Sequence, residues 1–68
     1  MTLKEFARDN PKRKFILLWF GKDEELKTDY CYANNLSKTA IKMLIWEVME
    51  TSTFDEEDWI EVWLKNEV

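Results

Sequence analysis

The 68-residue chain reads as one small α+β domain covering residues 1–68, in the order α-β-β-α-β: a three-stranded, mainly antiparallel sheet with one long helix packed on one face. Three observations predict this. The run "FILLWF", Phe15 to Phe20, is unbroken in its apolar character and closed by Gly21, as expected of a strand buried on both faces or central in its sheet. Ile41, Leu44, Ile45 and Val48 recur at the three-four spacing of a helical stripe. From Trp59 to Lys65 large apolar residues alternate with others at a period of two.

Taken in chain order, Thr2 opens a short helix, because Thr2-x-x-Glu5 is a capping box and Leu3 and Phe6 share a face. Asn10-Pro11 ends it, since proline pushes the residue before it out of helical conformation. After the basic triplet Lys12, Arg13, Lys14 comes the first strand. "GKDEEL" supplies a hairpin loop, and "KTDYCYAN" a second strand in which Tyr30 and Tyr32 share one face.

The long helix is expected over "NNLSKTAIKMLIWEVMETS", with Asn34, Asn35 or Ser37 as N-cap and an end near Thr51 to Thr53. In "WIEVWLK", Ile60, Val62 and Leu64 take one side of a third strand, and Trp59, Glu61, Trp63 and Lys65 the other. A helix is the alternative there, because Thr53-x-x-Glu56 is a second capping-box pattern. Enrichment in Trp, Ile and Val favours the strand.

A chain of this length buries only about 60% of its unfolded surface, so its core must be dense in large side chains. Four Trp, four Phe and two Tyr supply them. Cys31 is the only cysteine, so no intramolecular disulfide forms, and a reducing cytoplasm is the expected compartment, the host's if the chain is phage-encoded. The longest apolar run near the N-terminus, Phe15 to Phe20, is too short for a signal-peptide core or a membrane span.

Composition also excludes chemistry. With no histidine and one cysteine, His-based triads, Cys-His pairs and the common zinc ligand sets cannot be assembled. One glycine is too few for phosphate-cradling loops, and neither "DEEL" nor "DEED" has the spaced acids and glycine of a calcium loop. No enzymatic activity, metal or cofactor is therefore expected. Cys31, lacking a histidine to activate it, reads as a small buried side chain.

The net charge of −4 is unevenly spread: residues 1–22 hold six basic residues against two acids, and residues 23–68 hold four against twelve. Two surfaces follow. Asp55, Glu56, Glu57 and Asp58, with Glu61 beyond them, gather negative charge beside Trp59 and Trp63, a composition suited to a partner with a basic surface. On the expected long helix, Trp46 lies about 140° and Met43 about 200° from Ile41, which with Glu50 makes a second strip suited to a dimer or docking contact.

The function these features favour is a non-enzymatic protein-interaction module. It would be a small acidic inhibitor or adaptor, in the style of phage and mobile-element products, acting on a larger protein, with DNA- or RNA-handling proteins among the candidates. A self-assembling dimer through Met43 and Trp46 is the first alternative. Single-strand nucleic-acid binding by Arg8, Lys12, Arg13 and Lys14 is the second, disfavoured by a pI near 4.7.

Overall fold

Thr2 starts helix α1 (Leu3–Asp9) with the expected capping box. Its hydroxyl accepts from the Glu5 N–H at 3.3 Å, and its own N–H donates to the Glu5 carboxylate at 3.1 Å. Leu3 and Ala7 are buried on the inner side of this helix, and Asn10 ends it before Pro11. The computed structural model describes residues 1–53 and 59–66.

Strands β1 (Lys14–Phe20), β2 (Leu26–Tyr32), β3 (Glu47–Thr53) and β4 (Trp59–Lys65) form one sheet in the order β2-β1-β4-β3, with the short helix α2 (Lys38–Lys42) between β2 and β3. β1 pairs antiparallel with β2 as a hairpin, β3 antiparallel with β4, and the two central strands β1 and β4 run parallel. Side chains alternate across a strand, and register does the rest. Phe15 lies beside Ile60 and Leu17 beside Val62, so β1 and β4 aim one apolar face at the helical layer. Leu3, Ala7, Ala40, Met43 and Trp46 close over that face, and Leu3, Phe15, Leu17 and Val62 are fully buried.

The sheet and the helix differ from the expected ones. The sheet has four strands and is mixed, where three mainly antiparallel strands were predicted, and the expected long helix is cut to α2. Ser37 caps α2, its hydroxyl accepting from the Ala40 N–H at 3.1 Å. Beyond Lys42 the Met43 N–H reaches back to Ala40 and the Trp46 N–H to Met43, each at 3.0 Å, so the chain leaves the helix through tight three-residue turns.

The predicted stripe is not the buried one. Ile41 and Ile45 are 56% and 75% exposed, whereas Ala40, Met43 and Trp46 face the core. The deciding term is non-local. β4 carries its inward Ile60, Val62 and Leu64 in the middle of the sheet, and its outer N–H and C=O groups need a partner strand. Residues 47–53, with β-branched Val48, Thr51 and Thr53, provide one. The N-terminus reinforces the change. The Leu3 N–H donates to the Trp46 carbonyl at 3.0 Å and the Val48 N–H to the Met1 carbonyl at 2.8 Å, so the start of β3 is held from outside as well. Residues 59–65 are strand, with burial alternating along them, which decides between the two readings of "WIEVWLK".

Among the described residues no helix is long and apolar enough to cross a membrane.

Candidate interaction face

Both helices and the turn holding Met43 and Trp46 pack on one side of the sheet, so among the described residues no element covers the other side. The alternation that sends Phe15, Leu17 and Trp19 inward sends Lys14, Ile16, Leu18 and Phe20 outward. In β4 it sends Trp59, Glu61 and Trp63 outward, and in β2 Tyr30 and Tyr32.

These outward rings are organised. Phe20 and Trp63 stack across neighbouring strands, with centroids 6.3 Å apart and planes at 29°. Tyr30 meets Trp59 edge to face at 5.7 Å and 87°. The Lys14 ammonium sits 5.7 Å from the Tyr32 ring centre and 5.6 Å from that of Trp59, a cation–π contact with both. Leu18, set between Thr28 and Trp63 in the register, is buried on this face although it lies outside the main core cluster. The rings therefore form a second, thin apolar layer over β1, with Tyr30 61% and Phe20 55% exposed above it.

Of the residues singled out from the sequence, Trp59, Glu61 and Trp63 come together here, Glu61 half-buried between the two tryptophans along β4. Asp55, Glu56, Glu57 and Asp58 lie outside the described residues. Glu50 is exposed on β3 and pairs with Trp63 in the register, which brings it to the edge of the same face.

Met43 and Trp46 are the correction. They are 2% and 8% exposed, and Trp46 packs edge to face on Trp19 in the core, so the strip expected on the long helix does not exist as a surface. It depended on a helix continuing past Lys42, and the chain turns there instead. The basic residues are also divided: Lys14 points to the open face, whereas Arg8 is exposed on α1 in the helical layer, 3.8 Å from Asp9.

Phe20, Tyr30 and Tyr32 belong to the face and were not singled out as site residues. The shared side of Tyr30 and Tyr32 was legible from their spacing. What it lacked was the pairing that sets β2 beside β1 and both beside β4.

The face offers π-surfaces, an internal cation and carboxylates. Cys31 lies on the core side, where burial pushes its thiol pKa up and the nearby Asp29 adds to the rise, against a hydrogen bond from the Ser37 backbone. Among the described residues no three metal-ligating side chains gather.

The chain matches no family model, no curated protein and no solved structure. Fold and face together define a small α+β domain whose helices cover one side of a four-stranded mixed sheet and leave an aromatic side open.

Proposed function

We propose that the protein is a non-enzymatic interaction module that docks a basic segment of a larger protein on the open face of its sheet, acting as an inhibitor or adaptor. The observation that carries this reading is the ring layer of Phe20, Tyr30, Tyr32, Trp59 and Trp63, interrupted by Glu61 and bordered by Glu50. Aromatic side chains supply large contact area at low conformational cost and dominate interface energetics. Carboxylates among them select for Lys or Arg in the partner, and Arg also stacks on ring faces. The acids Asp55 to Asp58 precede Trp59 directly in the chain and extend the same charge preference. A partner whose natural ligand is DNA or RNA has the matching basic surface, and the cytoplasm, where a lone unpaired cysteine is at home, is the compartment in which the two would meet.

The test is a titration of the intact protein with a peptide of alternating Arg and Leu, followed by tryptophan emission, since Trp59 and Trp63 lie on the face. Binding that weakens with salt, and weakens further in Trp63→Ala and Glu61→Lys, is the expected result. Poly-glutamate serves as the control of opposite charge and oligo(dT) as a phosphate-bearing probe that stacks. Tight, salt-sensitive binding of oligo(dT) with none of the peptide would overturn the reading and move the face to single-strand nucleic-acid recognition.

A further inference from the structure

The two edges of the sheet are not alike. β3 is guarded at its start: the Val48 N–H donates to the Met1 carbonyl, the Leu3 N–H to the carbonyl of Trp46 just before the strand, and a bulge between Val48 and Glu50 breaks its regular spacing. β2 has neither device, and it contains no proline.

Which groups of β2 face outward follows from the hairpin. The Gly21 N–H donates to the Glu25 carbonyl at 3.0 Å and the Ala33 N–H to the Arg13 carbonyl at 2.9 Å, closing the hairpin at both ends on odd-numbered residues. In an antiparallel ladder bonded and non-bonded pairs alternate. The pairs Phe15–Cys31, Leu17–Asp29 and Trp19–Lys27 therefore exchange hydrogen bonds within the hairpin, and the N–H and C=O groups of Leu26, Thr28, Tyr30 and Tyr32 point away from β1. Tyr32 is already engaged, its carbonyl accepting from the Asn35 N–H at 3.1 Å. Among the described residues Leu26, Thr28 and Tyr30 have no backbone partner.

We infer that β2 pairs antiparallel with β2 of a second copy about a two-fold axis at Thr28, joining two sheets into one of eight strands. This register sets Thr28 opposite Thr28 and Leu26 opposite Tyr30 twice, so the three free residues of each copy are matched as hydrogen-bonded pairs. On the helical side it sets Lys27 of each copy opposite Asp29 of the other, a favourable pair repeated by the symmetry. Asp29 accepts a hydrogen bond from the Ser37 hydroxyl through one oxygen and has the second to offer, while the Lys27 ammonium is only loosely held, 3.9 Å from Asp23. On the open side Leu26 meets Tyr30, both at least half exposed in the monomer, and the aromatic layers of the two copies become continuous. A pairing of one strand each is smaller than a standard interface, so the association is expected to be weak.

Sedimentation of the intact protein from about 10 µM to about 1 mM tests it. A monomer–dimer equilibrium is expected. Thr28→Pro removes the central outward donor at an edge position that tolerates proline and abolishes the dimer, with circular dichroism confirming the fold. Lys27→Glu opposes Glu to Asp29 at both symmetric positions and weakens association about tenfold. Mixing Lys27→Glu with Asp29→Lys restores it as a heterodimer, which neither variant achieves alone. A protein monomeric across the whole range, or a dimer indifferent to both Thr28→Pro and Lys27→Glu, overturns the inference.

Discussion

Trp19 and Trp46 meet edge to face in the core, ring centroids 6.3 Å apart and planes at 74°. The contact ties β1 to the turn that leaves α2, and the Trp46 carbonyl also accepts from the Leu3 N–H at the start of α1. Trp46→Ala is therefore a core truncation, expected to cost about 3–5 kcal/mol. Against a total of about 5–15 kcal/mol for an ordinary domain, that removes a large share of the stability. Urea unfolding followed by circular dichroism checks it, and a midpoint left unchanged would contradict the burial of this ring.

The same residue shows where the sequence stops informing. Local signals were legible: the Thr2–Glu5 box, the stop at Pro11, the β1–β2 hairpin and the alternation of β4 all rest on neighbours a few positions apart. The stretch from Ile41 to Val48 satisfied a helical period as well as any helix does, yet Ile45 is 75% exposed and Trp46 buried. The deciding interaction, pairing of β3 with β4, lies between strands whose partnership no local pattern announces. The candidate face divides in the same way. Trp59, Glu61 and Trp63 share a side because one strand carries them, which their spacing alone shows. Phe20, Tyr30 and Tyr32 join them only through register with two other strands.

Glu5 makes stability depend on pH. Hydrogen bonds from the Thr2 backbone and hydroxyl hold its carboxyl below the ordinary 4.5. A depressed folded-state value means that the contribution is present above the unfolded pKa and is lost as pH falls through the folded one. Thermal melts at about pH 6 and about pH 3 should show a larger drop for the wild type than for Glu5→Gln, which keeps the amide oxygen as acceptor but cannot titrate. Thr2→Ala removes the cap itself and should cost about 1 kcal/mol at neutral pH.

Cys31 should be a slow thiol. It is buried in β2, and burial raises its pKa, so at neutral pH the group is protonated as well as shielded. Reaction with an aromatic disulfide reagent should be slow in buffer and speed up sharply through the urea transition, the rate following the population of open molecules. Fast modification of the folded protein at pH 7 would place the thiol elsewhere than between the sheet and the helical layer.

On the open face Lys14 is bound by rings. Its ammonium lies within 6 Å of both Tyr32 and Trp59, and among the described residues it makes no ion pair. A double-mutant cycle with Lys14→Met and Trp59→Leu should give a coupling of about 0.5–1 kcal/mol, the range of exposed cation–π pairs. The coupling should survive salt better than a surface ion pair would, because the ring has no net charge for counter-ions to screen. A basic partner would compete with Lys14 for these rings, so Lys14→Met should strengthen binding of the Arg-Leu peptide several-fold while Trp59→Leu weakens it. If both substitutions weakened it equally, Lys14 would be supporting the partner from beside the site, and the rings would not be the cation's seat.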